Sequence, residues 1–144
     1  MPALCDVNVL LALCYERHEH HPAALQWFER QDFQSLIVCR NSQLGLLRLL
    51  CNETVMGADV CSLDAAWQVY DAMLCDERFA FYHESEGLDE YLRSYSASGR
   101  ASPKLWQDAY LAAFARSAHI GLATFDRGFE KFDSVRLLLL PHDQ

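Results

Sequence analysis

Three aspartates stand in stretches of the sequence that are otherwise apolar. Asp6 is the only charged residue among the first fifteen, Asp108 lies within an apolar helical pattern, and Asp126 directly follows an apolar run. A buried carboxylate is unfavourable unless it is paired, hydrogen-bonded or bound to a cation. The placement of these side chains therefore indicates a chemical role.

Carboxylates that face one point raise one another's pKa unless a divalent cation neutralises them. Their oxygen atoms suit Mg²⁺ or Mn²⁺ better than zinc. Such a cation can lower the pKa of a bound water and hold the non-bridging oxygens of a phosphate. The residue types therefore predict metal-assisted phosphodiester hydrolysis.

Each aspartate also has a structural interpretation. Asp6 could cap the following helix, Asp108 could pair with Arg48 or Arg116, and Asp126 could be a turn residue. Any of these is reasonable for a single residue. The three positions together favour a shared ligand.

Alternating apolar segments predict the elements that carry these residues. Strands are expected at 2–7, 35–39, 79–82, 121–124 and 135–140, and helices at 8–14, 21–31, 41–51, 62–75 and 102–118. Strands that are apolar on both faces and alternate with helices indicate an α/β fold with a parallel sheet covered on two sides. Ligands bind beyond the carboxyl ends of such strands, where Asp6 and Asp126 fall.

Length and composition restrict the class of protein. The 144 residues suit one domain, spanning 1–144, and the formal net charge of −8 argues against a broad basic surface. No apolar run approaches the ~18–20 residues that a membrane span needs. The six cysteines form no C-x-x-C pair and are expected to be free thiols. We expect a cytoplasmic protein.

Four motifs follow one another in an order typical of one family. Residues 5–10 resemble a D-x-N-V-L opening, residues 45–50 a G-x-L-R-x-L helix, residues 108–112 a D-A-x-L-A block and residues 122–129 an L-x-T-x-D-x-x-F block. Together they resemble PIN domains, particularly the VapC-type toxins of bacterial toxin–antitoxin pairs. The resemblance implies a three-layer α/β/α fold with a central, mostly parallel sheet.

The same resemblance implies a Mg²⁺- or Mn²⁺-dependent endoribonuclease that cleaves transfer RNA or other structured RNA. Asp6, Asp108 and Asp126 would bind the metal, and Asn8 and Thr124 would shape the pocket beside them. Arg127 is a candidate substrate contact because it directly follows Asp126. A cognate antitoxin is the implied partner. The family also implies a homodimer, for which the large side chains on amphipathic helices are candidates: Trp27, Phe28, Trp67 and Tyr70.

One position departs from the family pattern. Gln43 stands where a glutamate is typical, so it is expected to face the Asp6 pocket without supplying a charge, and Gln43→Glu is expected to strengthen metal binding and cleavage. The alternative function is a catalytically impaired PIN-fold module that binds RNA or a partner. Phosphoryl transfer with Asp6 as nucleophile is disfavoured because Asn8 replaces the usual second aspartate.

Two polar groups of residues have less specific interpretations. The run 18–21, which holds three histidines and a glutamate, is expected to be a polar loop between helices. The basic residues that flank the late aspartates are either solvated helix ends or phosphate contacts: Arg100, Lys104, Arg127 and Lys131.

Overall fold

A single parallel sheet forms the centre of the protein. The computed structural model describes residues 1–141. Its strands are β1 (Ala3–Cys5), β2 (Leu36–Val38), β3 (Phe79–Phe81), β4 (Gly121–Thr124) and β5 (Leu137–Leu139). They are ordered β3-β2-β1-β4-β5, and every neighbouring pair is parallel. The predicted parallel α/β fold is confirmed.

Helices connect the strands. They are α1 (Val7–Cys14), α2 (His21–Glu29), α3 (Arg40–Leu50), α4 (Glu53–Met56), α5 (Leu63–Leu74), α6 (Leu88–Tyr95) and α7 (Pro103–Ala118). Short 3-10 turns cover Gly57–Asp59 and Arg127–Lys131. Among residues 1–141, no helix is both long and apolar enough to span a membrane.

The alternation of side chains along the strands divides the core into two layers. Leu4, Ile37 and Leu122 pack with α6 and α7 on one face. Their neighbours in the strands pack with α1, α2, α3 and α5 on the other face: Cys5, Val38 and Ala123. Successive strand residues point to opposite faces, so the apolar character of every position is explained by a sheet with two covered faces.

Two parts of the chain differ from the sequence-based expectation. Helix α3 begins at Arg40 rather than at residue 41 or 42, because Cys39 is the N-cap. Ser42 acts from inside the helix, where its hydroxyl accepts a 3.0 Å hydrogen bond from the Cys39 N–H. Helices α4 and α6 were not predicted, although the apolar residues of α6 recur at helical spacing and pack on the core: Leu88, Tyr91, Leu92 and Tyr95.

Gly45 sets the distance between α1 and α3. A Cβ at this position would lie 2.7 Å from Cγ2 of Val7, which is closer than two carbon atoms can approach. Only a glycine therefore lets α3 pack against the first turn of α1 in this arrangement. That first turn directly follows Asp6.

Candidate active site

Asp6 links the end of β1 to the start of α1. As the N-cap of α1, it accepts a 2.7 Å hydrogen bond from the Val7 N–H at Oδ1. Its Oδ2 accepts a 2.7 Å hydrogen bond from the Thr124 hydroxyl. Burial raises the pKa of Asp6, these hydrogen bonds only partly offset it, and the nearby Asp108 carboxylate raises it further. The capping role is real, but it leaves a buried carboxylate whose charge is unfavourable.

Thr124 is the last residue of β4 and is fully buried. Its hydroxyl donates to Asp6 and accepts a 3.0 Å hydrogen bond from the Asp126 N–H. The residue was predicted to shape the pocket beside the carboxylates, and because it has no exposed surface it can act only through its hydrogen bonds. It instead fixes Asp6 relative to the backbone of Asp126.

Asp126 begins the turn that follows β4. Its Oδ1 accepts a 2.7 Å hydrogen bond from the Gly128 N–H, and its Oδ2 accepts one of 2.8 Å from the Lys104 ammonium. The hydrogen bonds from Lys104 and from the Gly128 N–H lower the pKa of Asp126, although partial burial opposes them. Asp126 is thus both a turn residue and a charged group at the carboxyl edge of the sheet, as the sequence indicated.

Asp108 lies in the second turn of α7 and is 7% exposed. Its Oδ2 accepts a 2.9 Å hydrogen bond from the ammonium of Lys104, one turn earlier. The alternative of a pairing with Arg48 or Arg116 does not describe this contact, since the partner is Lys104, and Arg116 lies over the Tyr91 ring. The inward direction predicted for Asp108 from the helical pattern is confirmed.

Lys104 bridges two of the three aspartates. Although its partial burial acts in the opposite direction, hydrogen bonds to Asp126 and Asp108 raise the pKa of Lys104 above its usual range. The ammonium therefore stays charged at physiological pH. The helix end that carries it is fixed by Ser102, whose hydroxyl accepts a 3.0 Å hydrogen bond from the Leu105 N–H.

The three aspartates converge on a cavity of about 380 Å³. Its polar lining comes from α1, α3, α7 and the segment after β4: Asp6, Asn8, Arg48, Lys104, Gln107, Asp108 and Asp126. A second cavity of about 440 Å³ shares four of these residues: Asp6, Asn8, Lys104 and Asp126. The predicted grouping of the three aspartates at one edge of the sheet is confirmed.

The second cavity shows residues that the sequence interpretation missed. Residues 18–20 belong to the segment that joins α1 to α2, as expected, whereas His21 is the first residue of α2. His18, Glu19 and His20 also line this cavity, and the His20 ring stacks on Phe125 with 4.7 Å between centroids. Partial burial and the nearby His20 lower the pKa of His18, so it is neutral at physiological pH. The polar pattern alone did not indicate which way the loop folds.

Two further predicted site residues, Asn8 and Arg127, have different surroundings. Asn8 is exposed and lines both cavities. The Arg127 side chain is 79% exposed, pairs with Glu130 at 3.2 Å, and is not part of either described lining. It is therefore not positioned as a pocket residue in this conformation.

Gln43 is hydrogen-bonded to residues of α3 and α5 in this structure. It is buried, its amide oxygen accepts a 2.5 Å hydrogen bond from Arg40, and it also contacts the Tyr70 hydroxyl. Among the described residues that line the two cavities, Gln43 does not occur. That Gln43 shares the pocket of Asp6 stays a prediction; in this structure its amide oxygen is held by Arg40, which lies over the Phe81 ring.

The donor atoms of the pocket fit a hard divalent cation, but the side chains are not yet arranged around one. Across residues 1–141, no three His, Cys, Asp or Glu side chains are close enough together to bind a metal as they stand. The Lys104 ammonium lies between Asp108 and Asp126 and forms an ion pair with each. Each carboxylate oxygen keeps a lone pair, and the raised pKa of Asp6 shows a charge that a cation would stabilise.

Comparison with known proteins places this geometry in a family. A sequence profile described as PIN domain matches residues 3–135. Ribonuclease VapC41 of Mycobacterium tuberculosis (strain ATCC 25618 / H37Rv) is 39% identical over 142 residues, which cover 95% of this chain and 97% of that protein.

Two solved structures have the same fold. VapBC2 from Rickettsia felis, bound to a DNA fragment from its promoter, gives a TM-score of 0.69 at 11% identity and covers 98% of this chain and 100% of that one. A toxin-antitoxin complex from Klebsiella pneumoniae gives 0.63 at 17% identity and covers 98% and 99%. With a profile match over nearly its whole length and a relative of this similarity, the chain belongs to the PIN domain family.

Proposed function

We propose that this protein is a metal-dependent endoribonuclease and the toxin of a type II toxin–antitoxin pair. The observation that carries the proposal is the convergence of Asp6, Asp108 and Asp126 on one cavity at the carboxyl edge of the sheet. The similarity to a ribonuclease over almost the entire chain supports the same reaction. We take residues 1–144 as one catalytic domain.

Mg²⁺ or Mn²⁺ is the proposed cofactor, held by Asp6, Asp108 and Asp126. A bound divalent cation would supply a water of lowered pKa and charge stabilisation for the phosphate. Thr124 keeps Asp6 oriented through its 2.7 Å hydrogen bond. Asn8 and Arg48 line the cavity and are exposed, so they are placed to contact the backbone of an incoming RNA.

The proposed partners follow from the reaction and the family. The proposed substrate is RNA, of the class of transfer RNA or another structured RNA. The proposed location of the reaction is the cytoplasm. A cognate antitoxin is proposed to restrain the enzyme. Because the net charge is −8, substrate attraction must come from local basic side chains such as Arg48 and from the bound cation rather than from the whole surface.

A homodimer is also proposed. Of the four large residues that suggested it, Tyr70 is buried, and Trp27 and Phe28 pack partly against the core, so only Trp67 is left well exposed. Trp67 lies on α5 near Leu63, which is 78% exposed. Light scattering at micromolar concentration should give twice the chain mass, and a monomer at that concentration would reject the dimer.

The alternative of a catalytically impaired module rested on Gln43. The Gln43 amide oxygen bonds to Arg40, and Gln43 is not among the lining residues of the two cavities beside the carboxylates, which supports a pocket whose charge comes from the three aspartates. The geometry therefore favours an active enzyme over a module that only binds.

Cleavage of a fluorescent RNA tests the proposed activity. The wild type should cut with Mg²⁺ or Mn²⁺ and stop cutting with a chelator, and Asp6→Asn and Asp108→Asn should each lose activity by at least about a hundredfold, which corresponds to ~2.7 kcal/mol. Asp64→Asn, at an exposed position in the first turn of α5, is the matched control and should leave the rate unchanged. Cleavage that persists in Asp6→Asn would reject the assigned site.

A further inference from the structure

The ammonium of Lys104 stands where two of the proposed metal ligands meet. Its Nζ lies 2.9 Å from Oδ2 of Asp108 and 2.8 Å from Oδ2 of Asp126. Lys104 also belongs to the lining of both cavities beside the carboxylates. Lys104 thus places a permanent positive charge between two carboxylates of an acidic site.

The position of Lys104 in its helix is unfavourable on local grounds. It is the second residue of α7, after Pro103, and a cation in the first turn opposes the helix macrodipole. The order Lys then Asp at i and i+4 is also the weaker orientation of such a pair on a helix. The presence of a lysine at this position is therefore better explained by its contact with Asp126, which lies outside the helix, than by helix stability.

The Lys104 ammonium and a divalent cation need the same oxygen atoms. Two cations that share Asp108 and Asp126 would repel each other at short range, so a metal that binds both carboxylates must displace the ammonium or bind more weakly beside it. Displacement needs no backbone movement, because the Lys104 side chain is 68% exposed and flexible.

We propose that Lys104 is a resident counter-cation: it holds Asp108 and Asp126 together before the metal arrives and competes with the metal for them. This inference rests on the proposed metal site. It makes Lys104 a residue that sets the metal concentration at which the enzyme becomes loaded. Asp6, whose two oxygens bond to Val7 and Thr124, accepts no hydrogen bond from Lys104 in the described structure, although the ammonium acts on it electrostatically, so it is the ligand for which Lys104 competes least.

Calorimetric titration of the full chain with Mn²⁺ tests the competition. Lys104→Met keeps much of the side-chain length and removes the charge, and it should bind Mn²⁺ at least about tenfold more tightly than the wild type. Lys131→Met is the matched control, because Lys131 also acts on Asp126 at longer range, and its ammonium lies 5.2 Å from the centre of the Phe132 ring. It should change the affinity by no more than about threefold, since a distant charge is screened.

Two further variants separate the possible failures. Asp6→Asn should weaken Mn²⁺ binding both in the wild type and in the Lys104→Met variant, and this loss would locate the ion at the proposed site. Lys104→Gln should behave like Lys104→Met and serves as the substitute if the methionine variant fails to fold, as judged by circular dichroism. A crystal of the wild type soaked in Mn²⁺ should show the Lys104 ammonium moved away from Asp108 and Asp126.

The outcomes distinguish the competition from the site itself. If Mn²⁺ binds the wild type in an Asp6-dependent way but Lys104→Met and Lys104→Gln bind it equally or more weakly, the metal site stands and the competition is rejected. If no variant shows Asp6-dependent binding, the proposed metal site fails and the competition fails with it.

Discussion

The Thr124 hydroxyl donates a 2.7 Å hydrogen bond to Asp6, a residue 118 positions earlier in the chain. The contact joins the ends of the neighbouring strands β1 and β4, which are paired in parallel. The same hydroxyl accepts from the Asp126 N–H, so one buried oxygen orients two elements of the site. Such partners of metal ligands often matter nearly as much as the ligands themselves.

Replacement of Thr124 by valine should therefore impair the site without changing its shape. Thr124→Val removes the hydroxyl, so Asp6 loses a hydrogen bond and the Asp126 N–H loses its acceptor. We expect metal affinity or cleavage to fall by about 10–100-fold and the free energy of unfolding to fall by about 1–3 kcal/mol. Thr124→Ser keeps the hydroxyl and should retain most of the metal affinity. Equal metal binding by Thr124→Val and the wild type would show that the hydroxyl does not orient Asp6.

Removal of the buried charge at Asp6 should stabilise the metal-free protein. Burial raises the pKa of Asp6, so the ionised carboxylate is less favourable in the fold than in the unfolded chain. Asparagine is neutral and is as good an N-cap as aspartate. We expect Asp6→Asn to raise the Tm of the metal-free protein by a few degrees, at roughly 3 °C per kcal/mol for a domain of this size, and to abolish the increase in Tm caused by Mn²⁺. Thermal unfolding with and without Mn²⁺ measures both, and a lower Tm in the metal-free variant would contradict the expectation.

The carboxyl groups of Asp6 and Asp126 should titrate on opposite sides of the ordinary aspartate pKa of about 3.9. The pKa of Asp6 is raised by burial, and that of Asp126 is lowered by the hydrogen bonds from Lys104 and Gly128. Carbon NMR of the side-chain carboxyls in the metal-free protein measures both. Lys104→Met should move the pKa of Asp126 upward. An Asp126 carboxyl that titrates above that of Asp6 would be incompatible with these contacts.

The same shifts fix the sign of the stability change with pH. Asp126 stabilises the fold above the ordinary aspartate pKa, and this contribution is lost as the pH falls through its lower folded value. Asp6 acts in the opposite direction, because the folded protein binds its proton more tightly than the unfolded chain does. As the pH falls through the raised pKa of Asp6 towards the ordinary value, protonation of this residue stabilises the metal-free fold.

The sequence predicted the elements of the site better than the contacts within it. Asp6 and Asp126 could be placed because each follows a buried strand, and Asp108 because its helical neighbours are apolar. The partner of Asp108 could not be predicted, since an exposed lysine one turn away has the same pattern as a solvated helix end. The hydrogen-bond partners of Gln43 could not be predicted either, because Arg40 lies in the same helix and Tyr70 comes from α5.

Gly45→Ala should destabilise the contact between α1 and α3. The new Cβ would lie 2.7 Å from Cγ2 of Val7, a branched side chain that cannot turn away easily. Overpacking of this kind reduces the free energy of unfolding by about 1–3 kcal/mol, although alanine has the higher helix propensity. Urea denaturation measures the loss, and Leu44→Ala, at an exposed position of the same helix, should lose less. A Gly45→Ala variant more stable than the wild type would show that the two helices separate at little cost.

Gln43→Glu distinguishes the sequence-based expectation from the structure. The family pattern predicts that the restored glutamate adds a ligand, which would increase cleavage by one to three orders of magnitude, at ~1.4 kcal/mol for each tenfold step.

The structure predicts a different result for Gln43→Glu. The Gln43 amide oxygen already bonds to Arg40, which lies over the Phe81 ring, and an introduced carboxylate would pair with that guanidinium. We therefore expect Mn²⁺ affinity and RNA cleavage to change by less than about threefold. The free energy of unfolding should not rise, because the desolvation of the new carboxylate at this buried position offsets the gain from its ion pair with Arg40. Calorimetry and the fluorescent cleavage assay measure the first two, with Asp108→Asn in the Gln43→Glu background as the inactive control. A gain of tenfold or more would mean that this side chain turns towards the metal on binding, because from its position beside Arg40 it cannot add charge to the pocket.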